Sequence, residues 1–494
     1  MKRFLSLLLL FALLSALLCL PASAASTDAP PVAKIEITTD QGNGTALLKA
    51  DGYVGAHITI TDTDGAVTDD AISIKVRGNS TAIDSIPKKA YNIKFGKKTE
   101  VLGMGKGKKW ALLANCFDPT LLRNYLTFDM ARELELPYTS EQRFAELWLD
   151  GAYRGCYTVY EPVQEGSDRV DIDIKSNDGK KDFLLEYEAS RTEDDVTYLS
   201  VGGLRFAMAD PDEPTEEQVA YTTAVMTDVI NTIWNGTEEQ IREKIDVDSF
   251  AAFYLLNEFV KTADFGLSSV FFFYKDGVLY AGPPWDYDLS LGNLNADLNS
   301  ASAKEASRTD GIMQSDKNLY RWLYNKEWFR NEIKRVYAQH YPAFADIGAD
   351  GGRLDALRGE HQALFDRNFG VWNVGRWWLN YQKVPYKTYD ENYRFLKTWC
   401  ADRNSWLTTH WGLYRYEYLL GDADGSGEVD IVDATTIQRV LSDLQEDYDG
   451  RIALRGTLTG EALAITDASA IQRYTALMGI EYPIDEPRAA MLFD

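Results

Sequence analysis

From Lys34 onward, apolar and polar residues alternate in short runs: KIEIT over 34–38, HITIT over 57–61 and ISIKV over 72–76, separated by Gly- and Asp-containing turns. A period of two turns one face of each run to a core and the other to water, so these runs predict strands. Further strand-like runs follow at 144–149 (FAELWL), 153–161 (YRGCYTVYE), 183–188 (FLLEYE) and 196–208 (VTYLSVGGLRFAM), with Asp150-Gly151 as a hairpin turn between the first two. Leu122, Leu126, Met130 and Leu134 recur every fourth residue and predict an amphipathic helix over Pro119–Leu136. Helical spacing then dominates Thr215–Trp234 and Val247–Lys261, and helices are expected to about residue 418. Strands followed by helices predict an α+β domain over 34–418, with a β-rich N-terminal lobe and a helical C-terminal lobe.

The stretch DFGLSSVFFFYKDGVLYAGPPWDYD, Asp264 to Asp288, breaks this helical run. Val270–Tyr274 and Val278–Gly282 have strand composition and flank Lys275-Asp276-Gly277, a turn sequence, so the segment predicts a β-hairpin. A hairpin brings its outer ends together, which places Asp264 beside Asp286. In an extended WDYD, Asp286 and Asp288 share one face. Three converging carboxylates repel one another unless a cation offsets their charge, so a hard divalent ion suits them. Protein kinases bracket a short hairpin in this way, with a catalytic Asp before it and a metal-binding Asp after it. Surface-exposed hairpin ends are the alternative. The DFG triplet at 264–266 precedes the hairpin and no HRD comes before it, so it is not the kinase motif of that spelling.

Composition narrows the picture. The formal net charge is −24, which disfavours nucleic acid and anionic membranes as general partners. Against that background the block from Arg77 to Lys109 is densely basic: Arg77, Lys88, Lys94 and their neighbours could gather around phosphate groups, although lysines also protect strand edges. Arg123 in a first helical turn opposes the helix dipole and calls for an anionic partner, either a ligand or a buried acid. Met1-Lys2-Arg3, the apolar run Phe4–Leu20 and Ala22-Ser23-Ala24 read as a secretory signal over 1–25, followed by a tail over 26–33, and no later run is long enough to span a membrane. The chain is therefore expected outside the cell. Four scattered histidines without HExxH argue against a zinc hydrolase.

From residue 419 the character changes. GDADGSGEVDIVD places Asp422, Asp424, Ser426, Asp430 and Asp433 at calcium-loop positions 1, 3, 5, 9 and 12, with Gly427 at 6 and the carbonyl of Glu428 at 7. ITDASAIQRYTAL repeats IVDATTIQRVL, with Asp467 matching Asp433, but the loop before it has lost the aspartates of the first. A calcium loop without an entering helix, followed by a duplicated loop-helix unit, resembles a dockerin. That resemblance implies a small all-α, EF-hand-like module over 419–494 that holds Ca²⁺ and plugs into a cohesin domain of a cellulosome scaffold; a calcium-buffering EF-hand is the alternative.

RGNST, KKAYNIKF, LGMGKGKKWALLAN, LLRNYLTFDMAREL, ELWLDGAYRGCYTVYE and PPWDYDLSLGN occur in the order seen in the CotH kinase-like family, across roughly residues 34–415. The resemblance implies an atypical, two-lobed secretory-type protein kinase using ATP with Mg²⁺ or Mn²⁺ on Ser/Thr hydroxyls of exported proteins. By position, Asp264 would orient or deprotonate the attacking hydroxyl, and Asp286 and Asp288 would hold the metal. Lys94 or a basic neighbour among Arg77, Lys88 and Arg123 would neutralise phosphate charge, and Glu161 would orient that cation or line the nucleotide cleft. Ser268 stands where an Asn metal ligand is expected. The competing expectation is a non-catalytic or carbohydrate-directed component of the same assembly, since glycosidases also use paired carboxylates.

Overall fold

A computed structural model describes residues 31–175, 181–297, 300–376, 382–460, 462–479 and 481–493. The signal segment, most of the 26–33 tail, and Trp377, Trp378 and Tyr381 of an aromatic cluster near Trp372 lie outside the described residues. The chain divides into two compact units, one made of Ile333–Pro342 with Asn404–Asp494 and the other of the rest.

In the large unit the alternating runs close into a seven-stranded barrel: β1 (Ala33–Thr39), β2 (Val54–Thr61), β3 (Val67–Arg77), β4 (Ala90–Val101), β5 (Met104–Leu113), β6 (Gln142–Leu149) and β7 (Ala152–Tyr160), in the order β1-β2-β3-β4-β5-β7-β6. The barrel shuts through a parallel pairing of β1 with β6, Ile35 opposite Leu147. Closure leaves neither strand an open edge. Ile35, Ile37, Ile58, Ile74, Ile93 and Trp110 fill the interior with almost no exposure. Each such fully buried side chain stabilises the fold by about 1.5–3 kcal/mol.

The helix expected at 119–136 forms as α1 over Arg123–Glu133. It is not a half-exposed amphipathic helix, because both its polar first residues and its apolar stripe are buried. Arg123 has the anionic partner its position demands: its Nη1 donates to Asp118 Oδ1 at 2.6 Å, and Asp118 Oδ2 accepts from the Arg123 backbone N–H. A second, fully antiparallel sheet follows, built from β8 (Phe183–Tyr187), β9 (Tyr198–Val201), β10 (Leu204–Asp210), β11 (Val270–Lys275) and β12 (Val278–Ala281) in the order β12-β11-β8-β10-β9. The predicted hairpin is β11–β12, with Lys275 paired to Val278 across Asp276 and Gly277, both at positive φ (52° and 93°) as a two-residue hairpin turn requires.

Helix α2 (Glu216–Asn235) opens with a Thr215 capping box, and α3 (Val247–Val260) is buried along nearly its whole length. The carboxylate of Glu258, fully buried in α3, receives Arg403 Nη2 at 2.6 Å and the backbone N–H groups of Met313 and Gln314. These bonds fix the end of α3 from which the chain turns toward Asp264. Helix α4 (Arg353–Val371) sends Asn368 into the barrel wall, where its Oδ1 accepts from the Cys156 backbone N–H.

The small unit departs from the all-α expectation. Residues 413–419, expected at a helix end, form β13 (Leu413–Leu419), which pairs antiparallel with β14 (Pro487–Phe493). Tyr414, Tyr416 and Tyr418 fall on one face, a period-two signal in the sequence. Helices α5 (Ile431–Leu441) and α6 (Ile465–Thr475) are the two repeats, packed through Ala434, Ile437, Ala468 and Ile471.

Candidate active site

A cleft of about 750 Å³ opens beside the barrel wall, and all three hairpin acids line it. Asp264 arrives on a short 3₁₀ turn, Ala263–Gly266, whose carbonyl at Asp264 accepts the N–H groups of Leu267 (2.7 Å) and Ser268 (2.9 Å). Asp286 and Asp288 enter from the other foot of the hairpin. The WDYD segment is not extended, since Asp286 has φ +63°, so their common destination comes from anchoring of the backbone and not from simple alternation. Asn124 of α1 accepts the Tyr287 N–H at 2.7 Å, and Asn293 donates to the Asp288 carbonyl at 2.7 Å. Tyr287 is buried between the two acids.

Electrostatics register the convergence. Burial, reinforced by the Asp286 charge, pushes the Asp264 carboxyl up to about 7. Asp288 rises well above the usual range through burial and then through Asp286, Asp264 and Asp118. Asp286 is open to solvent, but at the floor of a cleft with protein around it. Burial therefore raises its pKa, while Arg77 and then Arg191 oppose the shift. Among the described residues the Asp264 and Asp286 carboxylates accept no hydrogen bond from another side chain. Three under-satisfied carboxylates of this kind fit a hard cation that completes its shell with water or phosphate oxygens. Their oxygens do not all lie within 4.8 Å of one another; among the described residues that arrangement is met by Asp422, Asp424 and Asp433.

One consequence is measurable without activity. In the folded state Asp264 keeps its proton up to about pH 7, whereas an unfolded Asp releases it near 3.9. The folded state thus binds more protons between these values, and stability falls as pH rises through that window. Without divalent ions the Tm of the large unit should decline from pH 5 to 8, and Mg²⁺ should raise it by several degrees at pH 8 and little at pH 5. Equal Mg²⁺ shifts at both pH values in differential scanning fluorimetry would refute the coupling.

The expected cations divide sharply. Arg77 lines the cleft, its guanidinium lying 5.3 Å from the Trp285 ring centre, with Asp286 its strongest charged neighbour. Lys88 does not: it is sealed in the barrel wall, donating to Ala114 O (2.7 Å), Cys156 O (2.9 Å) and Asn368 Oδ1 (2.9 Å), so all three of its protons are spent on protein. Arg123 is consumed by Asp118 and by the Ser290 and Leu291 carbonyls. Lys94 is exposed on β4 and does not line the cleft. Glu161 lies in a separate pocket of about 400 Å³ with Arg169 and Pro283, where its Oε2 accepts the Glu141 N–H at 2.9 Å. Among the described residues Glu161 forms no ion pair with Arg77 or Arg191, so the expected orienting contact is not made.

Two cleft residues escaped the sequence reading. Glu186 of β8 accepts the Ser269 N–H at 3.0 Å, and burial raises its carboxyl to about 7. Arg191 is held by Glu188, which accepts its Nε at 3.2 Å, and the Glu188 Oε1 is itself fixed by Ser190 and by the Arg191 N–H. The EYE alternation on a strand beside the hairpin was the available signal. In the small unit, Asp422 accepts the N–H groups of Ser426 and Gly427, Asp433 those of Asp424 and Asp430, and Ser426 Oγ donates to the Glu428 carbonyl. Asp430 caps α5 through the Val432 N–H.

No curated protein matches the chain. The model of one family does, that of CotH kinase protein, over residues 74–407, a span that contains the cleft and all three of its hairpin acids. The chain belongs to the CotH kinase protein family.

Proposed function

We propose that the large unit is an atypical protein kinase that transfers the γ-phosphoryl group of ATP to Ser/Thr hydroxyls of exported proteins. The observation that carries this reading is the meeting of Asp264, Asp286 and Asp288 in one cleft opposite Arg77 and Arg191. Asp286 and Asp288 are the residues to hold Mg²⁺ or Mn²⁺, which when bound supplies charge neutralisation on the phosphates. Asp264, with its carboxyl raised to about 7, accepts the proton of the acceptor hydroxyl as its oxygen bonds to phosphorus and the bond to the ADP oxygen breaks. Arg77 and Arg191 face the phosphate oxygens, and Glu188 holds Arg191 in place. Replacing Arg191 with Gln should lower kcat about tenfold or more, while Glu188→Gln should act through lost positioning and be partly rescued at high ATP. Equal kcat in wild type and Arg191→Gln would remove Arg191 from the site.

The small unit is proposed to bind Ca²⁺ through Asp422, Asp424, Ser426, the Glu428 carbonyl, Asp430 and Asp433, and to dock onto a cohesin-type partner as a dockerin does. The signal-like N-terminus supports work outside the cell. Incubation of the calcium-loaded chain with Mg²⁺, labelled ATP and extracellular proteins of the source should label Ser or Thr. Binding to xylan, cellulose or pectin with no nucleotide binding would overturn the kinase reading in favour of a carbohydrate-directed one.

A further inference from the structure

The pairing register of β3, β4 and β5 lays out the cleft wall in rows. Arg77 stands opposite Ala90; one row on, Lys75 stands opposite Asn92 and Asn92 opposite Ala111; in the next row Ser73 faces Lys94, and Lys94 faces Lys109. Ile74, Ile93, Phe95 and Trp110 point into the barrel, so Arg77, Lys75, Lys94 and Lys109 all stand on its outer face. Successive rows are about 6.8 Å apart, two residues at roughly 3.4 Å each. Arg77 and Lys75 line the cleft; Lys94 and Lys109, both exposed, continue the same face beyond it.

This arrangement is costly in isolation. Like charges directly opposite each other across a strand pair destabilise the pair, and the chain has acid to spare, at a net −24. Yet among the described residues neither Lys94 nor Lys109 makes an ion pair. Lys109 is near enough to Asp210 to oppose the rise of its carboxyl, but among the described residues the two form no ion pair, and Asp210 Oδ2 accepts the Glu165 N–H at 2.6 Å. Two lysines without an ion pair among the described residues, face to face on the outer barrel face that runs on from the cleft wall, form an anion track.

We infer that the outer face of β3–β5 binds an acidic, extended segment of the protein acceptor, leading its hydroxyl toward Asp264. This rests on the kinase reading for what the cleft does and adds the substrate class. An extended peptide repeats its side chains every second residue at about 6.8 Å, matching the row spacing, so with Arg77 engaged at the phosphates, glutamates at alternate positions meet Lys75 and the Lys94–Lys109 pair in turn. The net charge of −24 over the whole chain repels a nucleic acid backbone, which leaves a short acidic peptide as the anion that fits a track this local.

The test is fluorescence anisotropy with the full chain, without nucleotide, using a labelled peptide with one serine followed by glutamates at alternate positions. Binding should weaken steeply with salt and fall about tenfold in both K94Q/K109Q and K94E/K109E, while Lys34→Gln on β1 leaves it unchanged. The Gln pair removes a repulsion and should melt no lower than wild type, so lost binding cannot be assigned to misfolding. Equal affinity in wild type and K94Q/K109Q, or stronger lysine-dependent binding of polygalacturonate than of the peptide, overturns the inference. Peptide binding in a chain that transfers no phosphate would sink the kinase reading and leave the track standing; transfer indifferent to both double variants would do the reverse.

Discussion

Asp288→Asn should reduce phosphoryl transfer by about 10²–10³-fold and, in the absence of divalent ions at pH 8, should raise the Tm of the same protein. The two effects share one cause. Burial and the charges of Asp286, Asp264 and Asp118 hold the Asp288 carboxyl well above its ordinary range, so ionising it costs folded-state free energy that a metal-bound complex recovers. A group whose pKa is raised on folding binds its proton more tightly in the native state. Its penalty is absent below the unfolded value near 3.9 and grows as pH rises toward the folded one. Asn keeps the shape, loses the charge and removes the penalty. The Tm gain should therefore vanish at about pH 2.5, where Asp288 is protonated in either state, and Mg²⁺ should stabilise wild type more than the variant. Filter-binding incorporation of labelled phosphate and scanning fluorimetry with EDTA measure both. A variant that melts lower at pH 8 than at about pH 2.5 relative to wild type would show that Asp288 is stabilised by the fold and not strained by it.

Much of this site could be read from local sequence because the hairpin is a local object. Val270–Tyr274 and Val278–Gly282 carry their strand preference within themselves, and Asp276-Gly277 supplies both positive φ values, so convergence of Asp264 and Asp286 followed from chain geometry. The barrel was not legible. Its strands were, but closure depends on the parallel pairing of Ala33–Ile37 with Ala145–Leu149, and no short-range signal specifies a contact between segments so distant in sequence. The basic block failed in the same way. Lys88 and Lys94 differ little as letters, yet Lys88 is closed in by Ala114, Cys156 and Asn368, the last supplied by α4, while Lys94 points outward on β4. Whether a lysine is a buried tie or a free charge is decided by which distant carbonyls surround it. Arg191 went unnoticed because its only local mark is the acid three residues earlier, Glu188, which looks like any exposed i,i+3 pair until burial makes it a fixed mount.

Calcium removal should be the largest perturbation of the small unit. For a site saturated at about a thousand times its Kd, binding contributes about 4 kcal/mol of stability, most of what a module with so small a core has in hand. Asp433 is the residue on which this depends. It is fully buried, its carboxyl is pushed up to about 6 by burial and then by Asp424 and Asp422, and its two oxygens accept the N–H groups of Asp424 and Asp430. It therefore ties the loop to the first turn of α5 while offering the ion a buried anion. Asp467 occupies the matching place in α6 but is satisfied without an ion: Leu458 N, Thr459 N, Ala464 N and the Thr459 hydroxyl all donate to it, and among the described residues it belongs to no cluster of metal-ligating acids. Asp433→Ala should abolish calcium binding in isothermal titration calorimetry, make the Tm of the small unit insensitive to EGTA, and take binding to a cohesin-type partner with it. Asp467→Ala should lower the Tm in calcium by leaving those donors unpaired, at roughly 1–3 kcal/mol, with calcium affinity and a stoichiometry of one ion per chain retained. Two ions per chain would mean that the second loop recruits ligands from elsewhere, and none would mean that the first loop is held by its N–H network alone.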